Sequence, residues 1–340
     1  MPSKTLQCAS APGKMVLIGE YAVTQGLPAL SMAVDRRASV CRSSAPNQQH
    51  TIHSSMLDGK VFSFDKSATN FDWNRPPPTA IKAFVEQLPW PQTRSELKGI
   101  SFDLDSRQFF FQARADGGEN QKLGIGSSAA LMLAACRVLE ESGGSAESAS
   151  KSHYQLQSQT GSGIDLATSI HGGLICFQQL QKVKLLNLPA NFYWQAVWTG
   201  ESAKTQDFLQ AFNHWLGTNP TQWKLQQNSA ASLIAEAIRA VGRNDGIALS
   251  ACIRAYGEWM RDLGNWIQQP IYTPAFEEIR EISLATDCAW KPSGAGGGDI
   301  GIVCATSRHN LTEISRTISD AGYKILDLEV DLNGLKVFKQ

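Results

Sequence analysis

Three glycine-rich turns limit what this chain can fold into more than any other feature. They are Gly124-Ile125-Gly126-Ser127-Ser128-Ala129, Gly161-Ser162-Gly163-Ile164-Asp165 and Ser293-Gly294-Ala295-Gly296-Gly297-Gly298-Asp299. Glycine loses more backbone freedom on folding than any other residue, so four glycines in the five positions 294–298 are costly. That cost has a use where the backbone must turn sharply or come close to a ligand. Each turn also joins periodic segments. Leu131, Leu133, Ala134, Val138 and Leu139 give an apolar face that predicts a helix from Ser128 to Glu141, and 300–305 reads as a buried strand.

Around these turns the pattern alternates strand and helix. Residues 14–42 predict two strands, Met15 to Val23 and Ala29 to Val40, about a turn at Gln25-Gly26-Leu27-Pro28. Short alternating segments fill 43–78, and Pro76-Pro77-Pro78 breaks the chain before a helical pattern at 79–88. A strand is expected over 100–113, a flexible loop over 142–152, a loop and helix over 158–171, and a strand at Leu174–Phe177. After residue 190 the composition changes: a strand at Tyr193 to Thr199, four helices between 205 and 288, the third glycine turn, then strand, helix and two strands. The whole predicts an α+β or α/β protein with a domain boundary near 190. The tryptophans at 215, 223, 259 and 266 are assigned to helix packing.

Composition narrows the function. The 340 residues suffice for two domains. Lys and Arg balance Asp and Glu at 31 each, so no broad basic field is available for nucleic acid, and any polyanion site must be local. The seven cysteines are odd in number and form no CxxC pair, which predicts reduced, mostly buried thiols rather than a disulfide framework or a zinc site. No run has signal-peptide or membrane-spanning character, and a cytoplasmic protein is expected.

Each turn has a bland reading and a chemical one. The first, with Lys122 before it, could be a plain helix N-cap; alternatively, the helix N–H groups of 127–129 receive phosphates and the hydroxyls of Ser127 and Ser128 reach phosphate and metal. It lacks the Gly-Lys-Ser/Thr ending of a Walker A loop. In the second, Asp165 either charges a helix N-terminus or faces a substrate hydroxyl. The third is a flexible turn or a ligand cover. Pro12-Gly13-Lys14 supplies a lysine ahead of all three. Together they match the needs of phosphoryl transfer: backbone donors, a cation, a metal ligand and a carboxylate by the nucleophile.

On these residues the chain resembles the GHMP kinase superfamily. The match runs through Pro12-Gly13-Lys14 to Gly26, then Gly124 to Ala129, then Ser293 to Asp299. Gly19-Glu20-Tyr21-Ala22-Val23, Gly296-Gly297-Gly298-Asp299, Trp198-Thr199-Gly200-Glu201-Ser202-Ala203-Lys204-Thr205 and Ser152-His153-Tyr154-Gln155 are similar to its phosphomevalonate kinase branch. Ser158 departs from that branch, which often has Gly there. His153, Tyr154 and Gln155 stand where mevalonate kinases place a metal-binding Glu.

The resemblance implies an α+β fold of two domains. Residues 1–190 would form an N-terminal ATP-binding domain like domain 2 of ribosomal protein S5, and 191–340 a ferredoxin-like C-terminal domain, with the site in the cleft between. It implies ATP and Mg²⁺ as partners, 5-phosphomevalonate as acceptor, no nucleic acid or membrane, and a monomer or homodimer. ATP would lie on Lys122, Gly124, Ile125, Gly126, Ser127, Ser128 and Ala129, with Ser128 on the metal. Lys14 and Asp165 would be catalytic. The acceptor would meet Lys14, Ser162, Gly163, Asp165, Ser202, Lys204, Gly294, Ala295, Gly296 and Gly297.

Overall fold

The structure is a computed structural model that describes residues 6–45, 49–57, 59–67, 70–90, 99–111, 120–140, 145–156, 161–201 and 205–339. The first half is strand-rich: β1 (Gln7–Ile18), β2 (Ala29–Ser44), β3 (His50–Ser54), β4 (Val61–Lys66) and β5 (Phe71–Trp73), then α1 (Thr79–Glu86), β6 (Ile100–Asp105), β7 (Phe110–Phe111) and β8 (Gln121–Lys122). Helices α2 (Ser127–Leu139), α3 (Ser145–Leu156) and α4 (Ile164–His171) follow, then β9 (Leu174–Phe177) and β10 (Lys184–Leu186). The second half holds β11 (Tyr193–Trp198), α5 (Thr205–Thr218), α6 (Pro220–Gly242), α7 (Gly246–Ile267), α8 (Pro274–Ala285), β12 (Ala289–Pro292), β13 (Ile300–Ala305), α9 (Arg308–Asp320), β14 (Lys324–Leu326) and β15 (Lys336–Lys339).

Among the described residues, a nine-stranded sheet runs β10-β9-β2-β6-β3-β4-β5, with β1 paired along β2 and β15 paired to β1. A four-stranded antiparallel sheet, β12-β13-β11-β14, forms the second layer system, and β7 pairs with β8. The composition change near residue 190 falls in the link between β10 and β11. The buried face of α2, with Ala130, Leu133, Ala134 and Val138 fully covered, packs on β1 and β2. In the second half α6 packs on α7, and α7 lies over β12. Trp215, Trp223 and Trp259 are buried among these helices, as expected, and Trp215 stacks on Trp266. No helix of the described residues is long and apolar enough to cross a membrane.

Several expectations need correction. The strand expected to reach Val23 ends at Ile18, and Ala22–Gln25 forms a 3₁₀ turn entered through Tyr21 at φ 61°. The expected strand over 100–113 is broken by a 3₁₀ turn at Arg107–Phe109. The flexible loop expected at 142–152 is largely helix α3. Its Ser- and Ala-rich sequence carries a weak apolar signal, and packing against α2 supplies what propensity does not. The thiols are also not all free: Cys8 and Cys41 form a disulfide. They stand directly opposite in the β1–β2 ladder with Cα atoms 4.1 Å apart, a pairing across 33 residues that spacing alone does not reveal. Cys136, Cys176, Cys252, Cys288 and Cys304 are free.

Candidate active site

Pro12-Gly13-Lys14 lies inside β1, at an irregularity where the register with β2 slips between Pro12 and Gly13. Gly13 is required there by contact, because a Cβ would stand 2.8 Å from Ile125 O. The bare backbone lets the first glycine turn settle onto the strand, where Lys14 N–H donates to Ile125 O at 2.8 Å. Gly124 and Gly126 turn the chain at φ 76° and 86°. A Cβ on Gly124 would meet Asp299 Cβ at 2.5 Å, so the first and third glycine turns touch.

Helix α2 opens at Gly126 with no side-chain cap. By contrast α7, α8 and α9 are capped by the side chains of Asp245, Thr273 and Ser307. Ala130 N–H bonds back to Gly126 O at 3.2 Å, so the N–H groups of Ser127, Ser128 and Ala129 precede the helical ladder and are available as donors. Helix α4 repeats the arrangement, opening at Gly163 (φ 86°) without a side-chain cap and with Asp165 in its first turn.

These pieces line one cavity of about 440 Å³. Lys14, 8% exposed, runs over Gly126 and places Nζ 3.3 Å from Asp165 Oδ1. Lys122, Gly124, Gly126, Ser128, Ser162, Gly163, Gly294, Ala295 and Gly296 also line the cavity. Ile125, Ser127 and Ala129 do not: their side chains are buried in the interior, and only their backbone belongs to the turn. Gly297 is also off the lining, turned so that a Cβ would overlap the Phe208 ring. Ser202 and Lys204 lie outside the described residues.

The cavity also brings in residues that sequence reasoning did not assign a task. His153, from α3, is buried, with Nε2 3.3 Å from Ser128 Oγ. Burial lowers its pKa, and nearby Asp165 only partly offsets this. Glu20 is buried and paired with the fully buried Lys291, whose Nζ also donates to Pro292 O at 2.6 Å. Burial pulls the lysine's pKa down while Glu20 pulls it up. Around this pair Tyr21 donates to Ala295 O (2.5 Å), Tyr256 to Glu20 O (2.7 Å) and Val16 N–H to Ser293 Oγ (2.9 Å). These bonds hold the third glycine turn against the segment after β1. Only the Glu20–Tyr21 motif signalled them in sequence, since their partners lie more than 230 residues away.

Electrostatically the cavity is mixed. Its described lining holds the cations Lys14 and Lys122 and the carboxylates Glu20, Asp165, Asp207 and Asp299. Positive potential comes from the two lysines and, more weakly, from the two uncapped helix ends. Among the described residues no group of three or more His, Cys, Asp or Glu is arranged to hold a metal. The donor set at α2, a serine hydroxyl with a carboxylate in the same cavity, suits a hard cation carried mainly by phosphate and water oxygens.

No family model matches the chain. Phosphomevalonate kinase from Streptomyces sp. (strain CL190) is 26% identical over 382 residues, covering 96% of this chain and 97% of that protein. Mevalonate kinase from Pyrococcus furiosus is 22% identical over 351 residues, covering 97% of each. Among solved structures, Streptococcus pneumoniae phosphomevalonate kinase in complex with phosphomevalonate and AMPPNP superposes with a TM-score of 0.71 at 17% identity, over 95% of this chain and 99% of that one. The chain has the two-domain α+β GHMP kinase fold and is similar in sequence, over nearly its whole length, to a phosphomevalonate kinase and a mevalonate kinase.

Proposed function

We propose that this protein transfers the γ-phosphoryl group of ATP to 5-phosphomevalonate, giving 5-diphosphomevalonate. The observation that carries the reading is the Lys14–Asp165 ion pair beside the uncapped N-terminus of α2 in one cavity. The N–H groups of 127–129 would hold the phosphate chain of ATP, and Ser128 Oγ would be the protein's ligand to Mg²⁺. Bound there, the metal would neutralise charge between the β- and γ-phosphates. Lys14 would sit at the transferred group and offset developing charge, with Asp165 holding its ammonium in place and orienting the acceptor oxygen.

The acceptor oxygen in this reading belongs to a phosphate, whose second pKa is near 6, so it is mostly ionised at neutral pH. A general base then contributes less than positioning does. Higher sequence identity to the relative named phosphomevalonate kinase than to the one named mevalonate kinase supports this choice. Lys122 would contact the acceptor's own phosphate, and the turn at 294–298 would cover the acceptor.

A second reading, with mevalonate as acceptor, draws on the lining charge: two lysines against four carboxylates favour the less anionic molecule. An ADP-release assay with Mg-ATP and each acceptor at equal concentration separates the two. A strong preference for 5-phosphomevalonate is expected. Preference for mevalonate would select the second reading, and no turnover with either would remove both.

A further inference from the structure

His153 has no part in the reading above, yet it touches a residue that does. It comes from α3, is 2% exposed, and reaches the cavity wall with Nε2 3.3 Å from Ser128 Oγ. A serine hydroxyl has one proton and two lone pairs. To face a cation with a lone pair it must send its proton elsewhere, and the imidazole nitrogen lies within reach on the α3 side. An imidazole with its proton on Nδ1 has a lone pair on Nε2, and Nε2 is the nitrogen that faces the hydroxyl.

We propose that His153 is a positioning residue for the metal of the metal–nucleotide complex: its Nε2 accepts the Ser128 hydroxyl proton and so turns the Ser128 lone pairs into the cavity. The imidazole carries its own proton on Nδ1 and does not itself ligate. This rests on the reading of Ser128 as the protein's metal ligand. It gives α3 a task, that of holding the ring behind the first turn of α2, against which it packs.

The test measures binding of a non-hydrolysable ATP analogue by calorimetry, as the ratio of the dissociation constant without Mg²⁺ to that with Mg²⁺. Glutamine places an amide oxygen near the position of Nε2, whereas asparagine mimics Nδ1, so the two variants separate the roles of the nitrogens with polar side chains of similar burial cost. His153→Asn is expected to lower the ratio by about 3- to 10-fold, the size of one hydrogen bond, with metal-free affinity unchanged. His153→Gln should keep the ratio within about twofold of the parent, well inside that same single-bond range. Ser128→Ala should lower the ratio, and adding His153→Asn to it should lower it no further.

The proposal is overturned if His153→Asn leaves the ratio intact, if His153→Gln loses as much as His153→Asn, or if both forms of the nucleotide weaken alike, as a purely structural role would give. A ¹⁴N coupling to Mn²⁺ in the spin-echo spectrum of the Mn²⁺–nucleotide complex would overturn it in favour of direct ligation. If Ser128→Ala leaves the ratio unchanged, the assignment of Ser128 itself falls, and this inference with it.

Discussion

Lys14 and Asp165 are close enough to pair, and each is held from a different direction. Lys14 is fixed by a strand irregularity and by the carbonyl of Ile125, and Asp165 by the first turn of α4. Neither depends on the other for its backbone position, so removing one should leave the other in place. Lys14→Met and Asp165→Asn are each expected to lower kcat by roughly 10²–10⁴-fold, as single-group removals at charge-stabilising positions do. The dissociation constant for ATP should change by only about the few-fold expected of one lost contact. Steady-state kinetics alongside nucleotide binding checks this, and near-normal turnover in either variant would remove that residue from the mechanism. Both residues were legible in sequence because their neighbours are glycines a few positions away. Ile125, Ser127 and Ala129 belong to the same motif but point inward, since a motif marks a turn of backbone and cannot say which side chains face out.

At the scale of elements, the contact between the β1 segment and the third glycine turn is organised by the Glu20–Lys291 pair. Lys291 sits on β12 with no exposure, and Glu20 follows β1 with 4% side-chain exposure. A buried charge left without its partner is costly, whereas replacing the whole pair with neutral groups is often tolerated. Lys291→Met should therefore destabilise the fold by about 3–5 kcal/mol. Adding Glu20→Gln should restore much of that loss in urea unfolding. Additive losses would show that the two residues act separately. The pair was not legible because its members lie 271 residues apart, and a lone Lys and a lone Glu carry no pairing signal. Helix α3 was missed for a related reason: its stability comes from α2, while its own residues, many of them Ser and Ala, read as loop. The uncapped starts of α2 and α4 were not settled by sequence, since serines beside the glycines, and Asp165 in the second glycine turn, could equally have served as caps.

For the whole molecule, the alternation of strand and helix left α+β and α/β both open, the resemblance carried by the glycine motifs selected α+β, and the order of strands was set by contacts the pattern does not carry. The disulfide is the clearest case, because Cys8 and Cys41 meet only once β1 and β2 are in register. The large sheet also governs how stability responds to acid. His50, in β3, is 3% exposed, stacked on Phe64 and set edge-on to Trp90. Burial is the main cause lowering its pKa from 6.5 to about 4, with Asp65 opposing and Lys66 reinforcing. A depressed folded-state value means that below pH 6.5 the unfolded chain takes up a proton the folded chain refuses. The stability from neutral His50 is thus full above 6.5 and is lost as the pH falls towards 4. His153 shifts in the same direction. Urea midpoints measured across that window should fall with pH, and less steeply in His50→Gln than in the parent. Parallel profiles would show that His50 is not responsible.

The outer partner of Gln7–Ser10 is β15, Lys336–Lys339. Arg37, opposite Pro12 midway along the hairpin, is likewise bonded to Asn333 O and Gly334 O. On a ribosome, β1 and β2 emerge more than 290 residues before the strand that covers the edge of β1, so the nascent hairpin stays open on that side while those residues are made. Open strand edges are the usual starting point of wrong pairing between chains. That edge of β1 is covered only once Lys336–Lys339 has been made, and a fusion placed directly after Lys339 would be attached to a strand of the sheet's own ladder.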